Sequence, residues 1–462
     1  MNALWTKEEL LAAVGGKAEG SFNANGVAFD SREIGQGDLF FAMKGEATDG
    51  HLFVDKAFTN GAAGAIVSEP IAYPHILVDD TMEALNALGR ASRARGEGKI
   101  IGVTGSAGKT GTKEALYAAL DRSSRGHAHR SVKSYNNHVG VPLSLTRMPQ
   151  GSQFGVFEMG MNHAGELREL TQLVRPHVAI VTTIAPAHIG FFRDEAEIAD
   201  AKAEIFEGLL PGGTAIVPAD NIHYGRLRVA AEKYSDNIVS FGFDGGADVR
   251  VLDYVASPDG GSLITAKLPG GVLCYTLSQP GKHWIANSLA VLAAVEAVGG
   301  DLAAAGLAMA ELGSMAGRGA RHQIRVGNGS ALVIDESYNA NPASMAATIS
   351  ELANNDAGRR IVVLGAMKEL GDKSDDYHLA LAGPLAAANV DYAILVGEEM
   401  QILVEKLKAG VERPTEFAHC ASAKEALELL RDNLRVSDTI LVKGSNSMGL
   451  SIVINALVGE GS

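Results

Sequence analysis

Cysteine, aromatic residues and positive charge are all scarce in this chain of 462 residues. Its only cysteines, Cys274 and Cys420, do not have the spacing of metal ligands, which argues against a disulfide-stabilised fold and suits a reducing cytosol. Acidic residues number 54 and lysine plus arginine only 40, so the net charge is −14. This charge argues against nucleic acid as a partner, because binding a phosphate backbone requires a basic surface.

The chain also lacks the segments that are typical of membrane insertion. Its N-terminus has no basic region followed by an apolar one, and instead predicts a helix capped by Thr6. The apolar stretch 289–312 is interrupted by Glu296, Asp301 and Glu311, so it predicts two helices of a globular protein. We therefore expect no stable membrane insertion.

The composition, with 46% hydrophobic and 20% charged residues, predicts folded domains. At about 150 residues per domain, the length predicts three domains. Short apolar segments alternate with helical stretches, which predicts an α/β fold with mostly parallel sheets. We place the domains at residues 1–81, 82–316 and 317–462. The predicted strands are 64–68, 76–78, 99–103, 154–158, 178–184, 214–218, 331–335, 360–365, 392–396 and 439–442.

The most informative motif directly follows the apolar segment 99–103. Residues 104–112 read T-G-S-A-G-K-T-G-T, and a strand, a glycine turn and a helix start in that order are typical of a phosphate-binding loop. In such a loop Lys109 reaches the outer phosphates and the Thr110 hydroxyl can bind Mg²⁺. The motif is shorter than the eight-residue P-loop, because Val103 occupies the position of its first glycine.

Several other residues at or after predicted strand ends could carry chemistry, since ligands gather there in parallel α/β sheets. Glu158 is a candidate Mg²⁺ ligand, with a helix cap or a salt bridge as the alternative. His188, taken alone, is more often structural than a ligand. Lys202 lies in a helical stretch, where a lysine is ordinarily exposed to solvent.

Two residues further along the chain have a functional and a structural interpretation. Asn287 could contact adenine through its amide, or it could be a polar helix residue. Arg318 follows Gly317 in the predicted linker before the third domain. Its guanidinium could stabilise the charge on a transferred phosphoryl group, or it could be a surface arginine.

The order of these motifs resembles that of the Mur ligases, the ATP-dependent amide-forming enzymes of peptidoglycan precursor synthesis. The resemblance includes N-N-H-V-G-V-P at 136–142, Y-N-A-N-P at 338–342 and K-G-S at 443–445, and extends from Asp30 to Ser445. It implies a small α/β N-terminal domain that binds a uridine nucleotide and a central P-loop mononucleotide-binding domain. A C-terminal Rossmann-like α/β domain would bind the acceptor.

The motifs are most similar to those of the last cytoplasmic ligase of that family, which joins D-alanyl-D-alanine to UDP-N-acetylmuramoyl-tripeptide. The resemblance implies a monomeric enzyme of the bacterial cytoplasm that activates a carboxylate as an acyl phosphate. One alternative is a related ligase that adds diaminopimelate, lysine or glutamate; the Asp-Asn-Pro-Arg motif of the preceding ligase is absent from this sequence. A more distant alternative is a P-loop nucleotide-switch protein.

The resemblance assigns individual roles. The implied catalytic residues are Lys109, Glu158, His188, Lys202 and Arg318. The implied ATP-binding residues are Gly105, Ser106, Ala107, Gly108, Lys109, Thr110, Gly111, Asn287, Arg318 and Asp335, the last at the ribose. Two Mg²⁺ ions would be held by Thr110, Glu158, His188 and Lys202, the last as a carbamate. The implied substrate-binding residues are Ser31, Arg32, Lys44, Gly45, Asp49, Asn136, Asn137, Tyr338, Asn339, Asn341, Lys443 and Ser445. Gly111, Ala366 and Asn446 depart from the family pattern, which leaves the acceptor contacts near the last two open.

Overall fold

The fold is described from a computed structural model of the chain, which describes residues 3–45, 48–257, 260–353, 358–410, 414 and 416–459. Three sheets with five, nine and six strands are surrounded by helices. Most strand pairs within them are parallel. The prediction of an α/β fold with mostly parallel sheets is confirmed.

The first sheet has the strand order β1-β5-β4-β3-β2, and only β1 runs antiparallel to its neighbour. Helix α1 begins as predicted after Thr6, whose hydroxyl accepts the Glu9 N–H while the Glu9 carboxylate accepts the Thr6 N–H. The elements are α1 (Lys7–Val14), β1 (Lys17–Glu19), β2 (Val27–Ala28), β3 (Leu39–Phe41), α2 (Val54–Thr59), β4 (Gly64–Val67), β5 (His75–Leu77) and the connecting helix α3 (Thr81–Arg95).

The second sheet has the strand order β14-β13-β12-β11-β10-β9-β6-β8-β7. Strands β12, β13 and β14 form an antiparallel edge, and the other strands are parallel. The elements are β6 (Lys99–Thr104), α4 (Lys109–Ser123), β7 (Ala128–Arg130), α5 (Gly140–Thr146), β8 (Phe154–Glu158), α6 (Glu166–Val174), β9 (Val178–Val181), α7 (Glu195–Ala203), β10 (Thr214–Pro218), α8 (Tyr224–Ala231), β11 (Asn237–Gly242), β12 (Val249–Ala256), β13 (Ser262–Leu268), β14 (Gly271–Leu277), α9 (Lys282–Ala297) and α10 (Leu302–Ala310).

The third sheet has the strand order β15-β16-β20-β17-β18-β19, with only β15 and β16 antiparallel to each other. The elements are β15 (Ala320–Val326), β16 (Gly329–Glu336), α11 (Pro342–Leu352), β17 (Arg359–Gly365), α12 (Ser374–Leu379), α13 (Ala382–Ala387), β18 (Tyr392–Val396), α14 (Gln401–Lys408), β19 (Glu416–Cys420), α15 (Ala423–Asn433), β20 (Asp438–Lys443) and α16 (Ser451–Gly459).

The buried central strands of the second sheet bring Glu158 and the start of the phosphate loop together at the carboxyl ends of the strands. The last residue of β8, Glu158, pairs with Val103 of β6, and Thr104 at the end of β6 pairs with Val181 at the end of β9. Because these strands are parallel, their carboxyl ends open on the same side of the sheet. The predicted strand 178–184 was too long, since β9 ends at Val181. The next residue, Thr182, donates its N–H to the Thr104 carbonyl at 2.9 Å and its hydroxyl to the Ala107 carbonyl at 2.5 Å.

Candidate active site

The loop between β6 and α4 packs so closely against neighbouring residues that glycine is required at two of its positions. Gly105 has a φ of +150°, and a Cβ there would overlap the Thr182 hydroxyl. Gly108 has a φ of +82°, and a Cβ there would lie 2.9 Å from the side-chain amide nitrogen of Asn287. Glycine allows both the backbone conformation and this close approach. The backbone of residues 105–108 thus forms a concave loop, called the cradle below, which packs directly against Asn287 of α9.

The N-terminus of α4 completes this cradle. Helix α4 begins at Lys109, and the free N–H groups of its first turn attract anions such as phosphate. The Lys109 ammonium donates to the Gly105 carbonyl at 2.8 Å, so the side chain already bends over the loop. Burial lowers the pKa of Lys109, and the charge of Glu158 partly offsets that effect. The loop therefore combines backbone donors, a helix terminus and a cation, which fits the phosphates of a nucleotide.

Glu158 lies beside this cradle with its carboxylate held in place on both oxygens. One oxygen accepts from the Thr110 hydroxyl at 2.9 Å and the other from the Asn136 amide at 2.8 Å. The side chain is only 1% exposed. Mg²⁺ prefers hard oxygen donors and is usually shared between carboxylates and nucleotide phosphates. The hydroxyl and carboxylate in contact therefore fit the predicted magnesium site.

His188 and Lys202 lie near the loop but do not contact Glu158. Nδ1 of His188 is in contact with the Glu369 carboxylate, from the third sheet's side of the molecule. Burial lowers the pKa of His188; the charge of Glu369 partly offsets this effect, and the charges of Lys109 and Lys202 add to it. Lys202 is 2% exposed, and among the described residues no hydrogen bond or opposite charge contributes to its pKa. Burial, reinforced by the charge of Lys109, holds the pKa of Lys202 well below its usual value.

A cavity of about 820 Å³ lies where the second and third sheets face each other. From the third sheet's side, the Asn341 amide donates to the Ser106 carbonyl of the phosphate loop at 3.3 Å. The guanidinium of Arg318 stacks on Tyr338 with its carbon 4.1 Å from the ring centre. The predicted residues that line the cavity are Ser106, Ala107, Gly108, Lys109, Thr110, Gly111, Asn136, Glu158, His188, Asn287, Arg318, Tyr338, Asn339, Asn341, Lys443 and Ser445.

Asp335 does not line this cavity. Its carboxylate accepts hydrogen bonds from the Gly317 N–H at 2.7 Å and from the Ser337 N–H and hydroxyl at 3.0 and 2.6 Å. These bonds fix the linker that carries Arg318. The next residue, Glu336, does line the cavity and accepts from the Lys443 ammonium at 3.3 Å. The contact between Asp335 and a ribose stays a prediction.

The predicted substrate residues of the first domain lie away from this cavity. Arg32 forms an ion pair with Asp30 at 2.6 Å, and the Lys44 ammonium is 3.8 Å from Asp49. Gly45 donates to Thr48 at 3.0 Å. The remaining one, Ser31, is also outside the cavity lining, and so is the predicted substrate residue Asn137 of the second domain. Their roles in substrate binding stay predictions.

The structure also identifies site residues that the sequence did not suggest. Glu369 contacts His188, and its backbone carbonyl accepts the Gly190 N–H at 3.0 Å. Trp284 packs against the start of α4, where a Cβ on Gly111 would lie 2.7 Å from its ring. Neither contact has a signal in the sequence, because each joins segments that are far apart along the chain. No cluster of three histidine, cysteine or acidic side chains that could hold a metal is found among the described residues.

Comparison with known protein families finds three matching domain models. The Mur ligase middle domain model matches residues 103–295, the model described as Mur ligase, glutamate ligase domain matches 320–446, and the Mur ligase family, catalytic domain model matches 23–93. The chain belongs to the Mur ligase family. Among the helices of the described segments, none has the length and apolar character to cross a membrane.

Particular members of the family resemble the chain over its whole length. The UDP-N-acetylmuramoyl-tripeptide–D-alanyl-D-alanine ligase of Escherichia coli K12 is 34% identical and covers 99% of both chains. A crystal structure of MurF from Acinetobacter baumannii has a TM-score of 0.84 at 32% identity and covers 98% of this chain and 99% of that one. MurF from Thermotoga maritima in complex with ADP has a TM-score of 0.77 at 26% identity, covering 94% and 97%.

Proposed function

We propose that the protein joins D-alanyl-D-alanine to the terminal carboxylate of UDP-N-acetylmuramoyl-tripeptide in an ATP-dependent reaction. The observation that carries this proposal is one cavity in which the phosphate loop, Glu158 and Arg318 meet the polar residues of the third domain. The relatives that carry this name resemble the chain along nearly its full length. The proposed domains are residues 1–81 for the uridine nucleotide, 82–316 for ATP and 317–462 for the acceptor.

An amide bond does not form spontaneously from a free carboxylate, because the carboxylate is a poor electrophile. ATP, when bound, supplies the phosphoryl group that converts the carboxylate into an acyl phosphate, which the dipeptide amine then attacks as phosphate leaves. The protein contributes alignment and charge stabilisation rather than a nucleophile. Lys109 and the backbone N–H groups of residues 105–111 would hold the β- and γ-phosphates. Arg318 would orient the γ-phosphate, and Asn287 would contact the adenine.

The ligands proposed for Mg²⁺ are the side-chain oxygens of Thr110 and Glu158 and a ring nitrogen of His188. Thr110 and Glu158 would hold one Mg²⁺, and Glu158 and His188 a second. Such ions neutralise phosphate charge and brace the reacting oxygens. The contact of the Thr110 hydroxyl with the Glu158 carboxylate supports the first site. For the second site, His188 would have to exchange its contact with Glu369.

Lys202 is proposed to carry a carbamate. Its burial, the absence of a hydrogen bond or opposite charge that contributes to its pKa in the described part of the chain, and its lowered pKa all favour a neutral amine. A neutral amine can attack carbon dioxide, forming an N–C bond and releasing one proton. The product is an anionic oxygen ligand in place of a cation beside the proposed metals.

The carbamate is tested with Lys202→Ala. Activity should be lost because the oxygen ligand is lost, and bicarbonate or short-chain carboxylic acids added to the variant should restore part of it by occupying the vacated space. Phosphate release is the readout, and thermal denaturation checks that the variant folds. Full activity of Lys202→Ala without any additive would refute the carbamate.

The acceptor and the nucleotide precursor are proposed to bind at opposite ends of the site. Lys443, whose ammonium donates to the Asn339 carbonyl at 3.0 Å, supports an acceptor site in the third domain. The other acceptor residues proposed are Tyr338, Asn339, Asn341 and Ser445. The residues proposed for the uridine nucleotide are Ser31, Arg32, Lys44, Gly45 and Asp49. Asn136 and Asn137 are proposed as further substrate-binding residues. Because one chain supplies all of these residues, we propose a monomer, which would work in the bacterial cytoplasm where ATP and nucleotide-linked precursors occur.

A panel of acceptors separates this function from its alternatives. Phosphate release is measured with ATP, Mg²⁺ and UDP-N-acetylmuramoyl-tripeptide, with D-alanyl-D-alanine, diaminopimelate, lysine or glutamate as acceptor. The proposal expects release with the dipeptide and little with the single amino acids. Release with a single amino acid and the corresponding shorter precursor would favour a ligase of an earlier step. ATP turnover that is independent of any acceptor would favour a nucleotide switch.

A further inference from the structure

A second lysine of α4, Lys113, is completely buried although the proposed function gives it no role. Its side chain is 0% exposed. The ammonium donates to the backbone carbonyls of Ser131 at 3.1 Å and Lys133 at 2.6 Å, and lies 3.0 Å from a carboxylate oxygen of Glu114. Two of the three ammonium hydrogens are thus used by backbone carbonyls, and Glu114 adds an ion pair.

The nearest remaining charge is the proposed metal ligand. The Lys113 ammonium is 4.0 Å from the oxygen of Glu158 that accepts from Thr110. Both side chains are shielded from solvent, with exposures of 0% and 1%. A buried carboxylate is costly unless an opposite charge or hydrogen bonds stabilise it, and the two donors to Glu158 are neutral groups. Lys113 therefore supplies the positive charge closest to this carboxylate without using a hydrogen bond.

The carbonyls that Lys113 holds belong to the segment that surrounds Glu158. The Ser131 hydroxyl accepts the Glu158 N–H at 3.2 Å. Five residues later, the Asn136 amide donates to the Glu158 carboxylate, and the Asn136 carbonyl accepts the Gly160 N–H at 2.8 Å. Segment 131–136 thus contacts Glu158 from its backbone to its carboxylate, and Lys113 anchors the start of that segment to α4.

We propose that Lys113 is a positioning residue that orients Glu158 and segment 131–136 for Mg²⁺ binding. It acts through position and charge rather than by touching the metal or the nucleotide. The inference rests on the proposed function, because it takes Glu158 as a Mg²⁺ ligand. Outer partners of metal ligands typically contribute about 10- to 100-fold to metal affinity.

The test uses the full chain and two variants, Lys113→Met and Lys113→Gln. Both remove the charge, and the second keeps an amide that can donate to the carbonyls if the methionine variant does not fold. Binding of a non-hydrolysable ATP analogue is measured by calorimetry at increasing Mg²⁺ concentrations. We expect the Mg²⁺ midpoint to rise about 10- to 100-fold. Binding of the analogue in EDTA should change little. The melting temperature without ligands should fall, because the buried carbonyls and the Glu158 carboxylate lose their charged partner, so each variant is titrated at a temperature at which it is folded.

The matched control is Glu114→Gln. Glu114 is the other carboxylate beside the Lys113 ammonium, and it also pairs with Arg130 at 3.1 Å, away from the Mg²⁺ site. This variant should keep the wild-type Mg²⁺ midpoint. A wild-type midpoint in a folded Lys113 variant, or an equal rise in Glu114→Gln, would overturn the inference.

Failure of this inference can be told apart from failure of the proposed function. If wild-type protein releases phosphate only with D-alanyl-D-alanine while the Lys113 variants keep the wild-type Mg²⁺ midpoint, only the positioning role is wrong. If wild-type release ignores the dipeptide, the proposed ligase reaction is wrong, and the calorimetric comparison still reports on Lys113.

Discussion

The contact between Gly190 and Gly371 permits a direct test of how the second and third domains must meet. Gly190 lies in the turn Ile189–Phe191 just after His188, and Gly371 begins the turn Gly371–Lys373 just after the Glu369 segment. A Cβ on Gly190 would lie 2.7 Å from the Gly371 nitrogen, 3.0 Å from its Cα and 3.1 Å from the Glu369 carbonyl oxygen. Gly190 is not among the residues with positive φ, so alanine meets no backbone strain there.

The expected effect of Gly190→Ala follows from these distances. Carbon atoms in ordinary contact are about 3.5–4.0 Å apart, so the two turns must separate by about 1 Å. A displacement of that size between the groups of an assembled site can cost about 100-fold in rate. A 100-fold loss in kcat/KM corresponds to about 2.7 kcal/mol of transition-state stabilisation. ATP analogue binding should change less, since the phosphate loop and Asn287 lie in the second domain and only Arg318 and Asp335 of the proposed ATP-binding residues lie in the third.

The assay is dipeptide-dependent phosphate release, with calorimetric nucleotide binding and thermal denaturation measured in parallel. The control is Gly225→Ala in α8, where a Cβ would meet nothing within 4 Å. This control should keep wild-type activity. Wild-type kcat/KM in Gly190→Ala would refute the claim that the site requires the two turns in contact.

Three further substitutions test the loop, the linker and a partly buried histidine, His129. Lys109→Ala should lower ATP turnover at least about 100-fold, because a charged donor to the phosphates is lost, and retained turnover would contradict the loop assignment. Arg318→Lys should lower kcat about 10-fold or more, with a smaller change in KM for ATP, because lysine cannot match the planar contacts of the guanidinium. An unchanged kcat would show that Arg318 does not stabilise the transferred phosphoryl group. Burial lowers the pKa of His129 from 6.5 to about 4. Because the unfolded chain binds this proton more tightly, protonation of His129 favours the unfolded state as the pH falls from 6.5 towards 4. The free energy of unfolding should therefore decrease by about 3 kcal/mol between pH 7 and pH 4. In acid denaturation, His129→Gln should lose less unfolding free energy over this pH range than the wild-type protein, and the control His138→Gln should behave like wild type. Identical curves for His129→Gln and wild type would contradict this explanation.

Most of the parallel strands were predictable because burial on both faces makes them continuous apolar segments. The parallel strands β7, β11 and β19 are only partly buried and were not predicted. The observed β8 (Phe154–Glu158), β10 (Thr214–Pro218) and β18 (Tyr392–Val396) have the predicted bounds, and β6 extends the predicted segment 99–103 by one residue. The sequence could thus place the ends of the strands, and these ends carry Glu158 and the phosphate loop.

The antiparallel edge of the second sheet was missed. Strands β12, β13 and β14 have an exposed outer face, so polar and apolar residues are mixed along them. Exposed apolar residues such as Val255, Leu263 and Val272 further weaken the alternation that identifies a half-buried strand. The very short β2 and β3 were missed as well, because two or three residues are too few to show a period.

The site was predictable in its types of residue but not in its contacts. The glycines, Lys109 and Thr110 carry a local motif, and Glu158 follows from its place at a strand end. Lys113 and Lys202 have no such signal, because whether a helical lysine faces the interior depends on what packs against the helix. The contact of Glu369 with His188 depends on how the second and third domains meet, which no local pattern records.

The central claim is tested most directly by mass spectrometry of the product. The protein is incubated with ATP, Mg²⁺, UDP-N-acetylmuramoyl-tripeptide and D-alanyl-D-alanine, and ADP and phosphate are quantified alongside. The account predicts that the nucleotide precursor gains the mass of the dipeptide less water, with one ADP and one phosphate formed for each bond. ADP and phosphate formed without this product, or at the same rate without the dipeptide, would contradict it.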